Sequence, residues 1–270
     1  MFTKGTQDNV PILRTIGSTM RRILSVRRGN IRLTLIAMVR RTPILGRVVA
    51  AAYRAVIKKS QPFSNSSQYW EQRYKSGGDS GAGSYNELAA FKAATLNRLV
   101  EEFGIKTVIE FGCGDGSQLT RATYPSYLGL DVSQHAILKC KQLFQDDRTK
   151  AFASMVDYVG QVADLALSLD VVYHLVEDDI FVSYMDTLFG SARRFVVIYS
   201  SNTDSQLDSP GLEHVRHREF SKWVEVNQPE WQLHRQIPNM YPWDSQSGQG
   251  SFADFFIYMR SAGPSESTNP

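Results

Sequence analysis

Apolar positions in this chain follow two periods, and from about residue 84 onward helical and strand-like stretches alternate. Leu88, Phe91, Leu96, Leu99 and Phe103 fall at helical spacing, and Gly104 supplies the stop. Ser84 and Glu87, ahead of them, stand at capping-box spacing. Ile105–Glu110 then reads as a short buried strand, followed by strands at Tyr127–Val132, Lys150–Met155 and Asp164–Leu169. Arg194–Ser201, Trp231–Pro238 and Ser251–Arg260 complete the series. Glu177, Asp178 and Asp179 form the acidic first turn of a further helix, where negative charge suits the N-terminus. Strands alternating with helices predict an α/β domain.

The first sixty residues do not belong to that rhythm. Leu45, Val48, Val49, Ala52, Tyr53 and Val56 share one helical stripe with Arg47, Arg54 and Lys58 off it, and Ile12 to Leu24 behave similarly. Residues 1–60 hold thirteen Lys/Arg against one acid, Asp8, whereas 61–270 hold seventeen bases against twenty-six acids. The overall charge of +3 therefore joins a basic amphipathic extension (1–60) to an acidic domain (61–260). Residues 61–67 are polar enough for a boundary, and 261–270 have the composition of a disordered tail. No run in 1–60 reaches the roughly 18 apolar residues of a membrane span. The extension suits an anionic membrane surface, a partner protein or an organellar transit role. No aromatic-basic interleaving supports nucleic acid.

Two cysteines, Cys113 and Cys140, are too few for a disulfide framework and lack zinc-ligand spacing, so no metal is expected and a reducing cytoplasmic setting is the default. The stretch with most chemistry is Val108-Ile109-Glu110-Phe111-Gly112-Cys113-Gly114-Asp115-Gly116. An apolar strand delivers an acid and then three alternate glycines, which allow positive φ and close approach of a ligand. Asp131 ends the next strand nineteen positions after Gly112, where ribose hydroxyls need an acceptor in a Rossmann-like unit. The third glycine comes one residue too early for the dinucleotide fingerprint, which disfavours a nicotinamide-dependent reductase.

These residues resemble the first motif and second-strand acid of the class I S-adenosylmethionine-dependent methyltransferases. The resemblance implies a Rossmann-like, doubly wound, mostly parallel seven-stranded sheet with an antiparallel last strand. It also implies S-adenosyl-L-methionine as cofactor. Gly112, Gly114 and Gly116 would approach its methionine portion, with Glu110 or Asp115 near the α-amino group. Asp131 would accept both ribose hydroxyls, Val132 would touch adenine, and Asp157 would bond its amino group. Ser168 and Leu169 would offer backbone contacts where cofactor and acceptor meet. Trp70 and Arg73, before the glycine-rich run 77–83, would form a lid, with Arg73 reaching a carboxylate.

For the acceptor, His214 and His217 in His214-Val215-Arg216-His217-Arg218 are candidate bases, as is His174, which resembles a histidine in one branch of the family. Arg216 and Arg218 suit an anionic acceptor. Each His and Arg equally suits a structural bond to a neighbour. No Asn/Asp-Pro-Pro-Tyr/Phe signature follows the fourth strand, where Ser168-Leu169-Asp170-Val171 stands. The expectation is methyl transfer to oxygen of a small-molecule or glycan-type acceptor. The alternative is a non-catalytic cofactor-binding scaffold recruited through the basic extension to a membrane or a glycan-assembly enzyme.

Overall fold

The computed structural model describes residues 63–206, 212–244, 247 and 249–261, and the apolar runs within them pair into one seven-stranded sheet. The strands are β1 (Val108–Phe111), β2 (Tyr127–Asp131), β3 (Lys150–Ser154), β4 (Ala163–Leu169), β5 (Ala192–Ser200), β6 (Trp231–Ile237) and β7 (Asp254–Arg260). Their order is β3-β2-β1-β4-β5-β7-β6. Neighbours among the first five are parallel, and β7 runs antiparallel between β5 and β6. The expected fold, with its antiparallel last strand, is the one observed. The expected helices of residues 1–60 and the tail beyond Ser261 lie outside the described residues.

Helices α1 (Ser66–Lys75), α2 (Asn86–Glu102), α3 (Gln134–Leu143), α4 (Asp178–Gly190) and α5 (Phe220–Asn227) accompany the sheet. Because successive strand residues face opposite sides, β4 divides its apolar side chains between two cores. Leu165, Leu167 and Leu169 join Leu96 and Leu99 of α2 and Ile137 of α3. Ala166 joins Phe181, Met185 and Leu188 of α4 and Phe220 and Val224 of α5. Parallel central strands buried on both faces need near-continuous apolar sequence, as in Phe195 to Tyr199.

The ends of α2 show what local sequence did and did not decide. Gly104 follows the C-cap Phe103 at φ +58°, a left-handed conformation that favours glycine. The predicted capping box at the other end does not form. Tyr85 is the N-cap, with no side-chain cap bond, and Ser84 lies in a 3₁₀ turn, Ala82–Ser84. The Tyr85 hydroxyl donates instead to Asp115 Oδ2 at 2.9 Å, so the loop is drawn toward the end of β1. The buried face of α2 is also rotated from the predicted one. Ala89, Lys92, Ala93, Leu96, Leu99 and Val100 are buried, whereas Leu88 and Phe91 are only partly so.

The two-sided burial of β4 gives a direct test. Leu165, fully buried between Val108 of β1 and Phe195 of β5, should cost about 2–5 kcal/mol when replaced by Ala. Urea denaturation should show the lower midpoint with the slope unchanged.

Candidate active site

The strand order reverses direction between β1 and β4, and crevices form beyond the carboxyl ends of strands at such a switch. There the protein has a cleft bordered by the ends of β1, β2 and β4, by Lys92 of α2 and by Ser66, Ser67, Trp70 and Tyr74 of α1. Its floor is the turn after β1. Gly112 and Gly114 have φ of +86° and +60°. A Cβ at Gly112 would lie 2.4 Å from Val171 Cγ2, and one at Gly114 would lie 2.4 Å from Ser80 Oγ. Neither contact tolerates a side chain, so the backbone itself forms the surface.

Asp131 ties this turn to β2. Its Oδ2 accepts from Gly114 N–H at 2.9 Å and its Oδ1 from Ser133 N–H at 2.8 Å. Each oxygen thus keeps a lone pair after one backbone bond. Burial pushes the Asp131 carboxyl up to about 6. Glu110, on the same cleft wall, is pushed up to about 7 by burial, although the Tyr127 hydroxyl donates to its Oε2 at 2.6 Å. A third carboxylate, Asp170, follows β4 at φ +60° and accepts from Lys92 Nζ at 2.5 Å and from the Tyr173 hydroxyl at 2.7 Å. Three carboxyl groups against one ammonium leave an acidic lining that favours a cationic ligand.

No family model matches this chain, and no curated protein does. Solved structures do resemble it. The N-methyltransferase NodS from Bradyrhizobium japonicum, in complex with S-adenosyl-L-homocysteine, aligns over 74% of this chain and 100% of its own with a TM-score of 0.57 and 16% identity. Magnesium protoporphyrin IX methyltransferase (ChlM) from Synechocystis, with bound S-adenosylmethionine, aligns over 75% and 100% with a TM-score of 0.51 and 14% identity. The chain has the class I methyltransferase fold.

Within this methyltransferase fold the expected site residues separate into groups. Glu110, Gly112, Gly114, Asp131, Val132, Leu169, Trp70 and His174 all line the cleft. Asp115 and Gly116 turn away from it. Burial pushes the Asp115 carboxyl up, but hydrogen bonds from Ser117, Ser80 and Tyr85 outweigh that and hold it below the usual range. It fastens the loop around Ser80 to Tyr85 to the turn after β1. A Cβ at Gly116 would sit 2.9 Å from Phe144 Cε2, so that glycine serves packing.

Three further expectations need correction, those for Asp157, Arg73 and His217. Asp157 is exposed at the end of a 3₁₀ turn and outside the cleft, and Met155, which opens that turn, lines it instead. Ser168, expected to act through its backbone, is fully buried, and its Oγ accepts from the Tyr184 hydroxyl at 2.7 Å. Arg73 is taken by Asp79, donating through Nε to the carbonyl and through Nη2 to Oδ1. His217 is buried off the cleft, with Nδ1 2.7 Å from Ser201 Oγ and its ring against Phe252.

The other two histidines meet. His174 stacks on His214 at 5.3 Å between ring centroids, and His214 stacks on Tyr69 at 4.3 Å. The His214 carbonyl oxygen accepts from His174 Nδ1–H at 2.9 Å, which leaves Nε2 as the unprotonated nitrogen. Burial pushes His174 down to about 4 and also lowers His214. His214 does not line the cleft and supports His174 from behind. Arg216 and Arg218 both pair with Asp178, at 3.0 and 2.6 Å, and donate to the carbonyls of Leu175 and Val176. They fix the turn that carries His174 into α4. Among the described residues no group of three His, Cys, Asp or Glu is placed to hold a metal ion.

Sequence reasoning passed over Lys92, Gln118, Met155 and Tyr184, which all line the cleft. Lys92 had a readable signal, a lone cation on the stripe of Ala89, Ala93 and Leu96. Gly112→Ala should lower the thermal midpoint, because a Cβ there meets both positive φ and Val171. Calorimetric melting of the variant beside the parent protein measures it.

Proposed function

We propose that this protein transfers the methyl group of S-adenosylmethionine to an oxygen of a small-molecule acceptor, of glycan type. The observation that carries the reading is the acidic cleft around the side-chain-free turn, with Asp131 presenting two partly free oxygens beside it. A ligand with vicinal hydroxyls and a sulfonium charge meets both requirements. Residues Gly112, Gly114, Asp131, Val132 and Met155 would hold its nucleoside, and Glu110 and Asp170 would face its positive charge. The likeness to solved methyltransferases supports the reading through the fold.

When bound, the cofactor supplies an electrophilic methyl group on sulfur. Trp70, Ile180 and Tyr184 surround the cleft with aromatic and apolar surface that displaces water from the reacting centre. His174 takes the acceptor proton at Nε2. Its low pKa does not prevent this, because an oxygen becomes strongly acidic as it gains a methyl group. A weak neutral base then suffices, and neutrality keeps a competing cation away from the sulfonium. Tyr69 and His214 hold the ring in place. The absence of an amino-methylation signature after β4 favours oxygen over nitrogen.

The test begins with the cofactor. Glu110 and Asp131 carry raised pKa values near 7 and 6, so both are protonated at pH 5 and both ionised at pH 8. S-adenosylmethionine should therefore bind roughly tenfold or more tightly at pH 8 than at pH 5. S-adenosylhomocysteine, which lacks the sulfonium charge, should gain much less. Isothermal titration with both ligands measures this, and equal pH slopes would remove the charge argument.

Transfer itself is read by labelled methyl incorporation into extracts rich in hydroxylated small molecules. His174→Ala should lower that rate about 10²-fold or more while S-adenosylhomocysteine affinity stays within a factor of two. Unchanged turnover would place the base elsewhere.

A further inference from the structure

The chain's two cysteines, 27 positions apart in sequence, are brought together beneath the turn after β1. Cys113 stands between Gly112 and Gly114, and Cys140 lies on the buried face of α3. Both thiols donate to one acceptor. The Gly114 carbonyl oxygen accepts from Cys140 Sγ at 3.2 Å and from Cys113 Sγ at 4.0 Å. Cys113 is also in hydrogen-bonding contact with Cys140. Glycines give the sulfurs their room. A Cβ on Gly129 of β2 would lie 3.0 Å from Cys113 Sγ, and one on Gly116 would lie 3.1 Å from Cys140 Sγ. Two thiols held side by side against a ligand-facing turn are more than a packing pair, because they can become a covalent bond.

The two differ in access. Cys113 lines the cleft wall, whereas Cys140 is fully buried behind it. A reagent therefore reaches the pair only through the cleft and only at Cys113. Contact with Cys140 and burial, joined by the nearby charges of Asp131 and Glu110, push the Cys113 thiol up. Its thiolate is scarce, so oxidation is slow and depends on how long the cleft stands empty. The acidic lining repels anionic oxidants such as glutathione disulfide. Hydrogen peroxide is small and neutral and meets neither obstacle. A ligand lying on Gly112 and Gly114 would cover Cys113.

We propose that Cys113 and Cys140 are a redox modification site, joined by hydrogen peroxide into a reversible disulfide that competes with cofactor binding. The Cys113 sulfur attacks one peroxide oxygen. The O–O bond breaks, and the departing hydroxide takes the thiol proton and leaves as water. The Cys140 sulfur then attacks the resulting sulfenic sulfur, its S–O bond breaks, and the oxygen leaves as a second water. Two thiols lose two electrons and one peroxide gains them. Neither sulfur then carries a proton, so the Gly114 carbonyl loses both donors. An S–S bond of about 2 Å also draws the turn toward α3. That movement strains the Gly114 N–H bond to Asp131 and with it the ligand surface. The disulfide stands on the thiol geometry alone, and its effect on the ligand rests on the methyltransferase reading.

The test exposes the reduced full-length protein to hydrogen peroxide, with and without saturating S-adenosylhomocysteine. Alkylation under denaturing conditions and peptide mapping then read each thiol. The empty protein should yield a peptide linked through Cys113 and Cys140, about tenfold or more faster than the saturated protein. Oxidised protein should bind S-adenosylhomocysteine about tenfold or more weakly by isothermal titration, and dithiothreitol should restore the affinity. Cys140→Ser, whose hydroxyl still donates to the Gly114 carbonyl, should bind like the reduced parent and keep that affinity after peroxide and dithiothreitol. Thermal melting checks that the variant folds, and the oxidised and reduced parent forms need no variant at all. Two alkylatable cysteines after peroxide, equal oxidation rates with and without ligand, or equal affinities of the two parent forms would overturn the inference. A dithiothreitol-reversible loss of the same size in Cys140→Ser would overturn the pairing. A reduced parent that does not bind S-adenosylhomocysteine would overturn the methyltransferase reading, and the linked peptide would still decide the disulfide.

Discussion

The hydrogen bond from Gly114 N–H to Asp131 Oδ2 is the interaction on which the rest of the site depends. It joins the turn after β1 to the end of β2, and it requires a backbone that rises away from the strand at positive φ. That backbone leaves no room for side chains between Val171 and Ser80. Asp131 must then be buried at the same place, and after burial its charge is among those that raise the cost of ionising Glu110. The acidity of the cleft is thus a consequence of how the turn is built. A ligand with positive charge relieves the crowding of carboxylates that the turn imposes.

The polar loops around the cleft are organised by the same economy of bonds. Asp115 gathers Ser80, Tyr85 and Ser117, which brings the glycine-rich loop over the turn. Asp178 gathers Arg216 and Arg218, which steadies the segment bearing His174. In both cases an acidic residue that looks available for ligand contact is already committed to positioning. The groups left with spare hydrogen-bonding capacity are fewer and less conspicuous: Asp131, the Nε2 of His174, Gln118 and Asp170.

The sheet was legible because its strands are nearly continuous apolar runs, and their ends were misplaced by only a residue or three. Gly112, Gly114 and Asp131 were legible for a different reason, since a strand, a glycine turn and a second strand fix their spacing locally. Asp157 was placed by analogy with position along a strand. The turn after β3 decided otherwise, leaving Asp157 exposed at its end and bringing Met155 to the cleft. His214 and His217 looked like one cluster in sequence. In an irregular segment three residues are enough to send one ring toward His174 and the other into the core beside Phe252. Lys92 and Gln118 depend on how α2 is rotated against the sheet, which no local pattern records.

Helix α1 forms one side of the cleft through Ser66, Ser67, Trp70 and Tyr74, yet only Ser66 and Tyr74 of its residues are buried. It is held by polar bonds at its margins (Ser66 to Glu177, Glu71 to Ser133 and His135, the loop carbonyl of Gly78 to Lys139) and by the rings of Tyr69 and Trp70 against His214 and His174. It contributes no strand and little to either core. Its detachment therefore costs those few bonds and not the cooperative unfolding of the sheet. Traffic through the cleft and durability of the fold are set by different parts of the molecule. The protein can exchange what it holds at a pace that says nothing about how hard it is to denature.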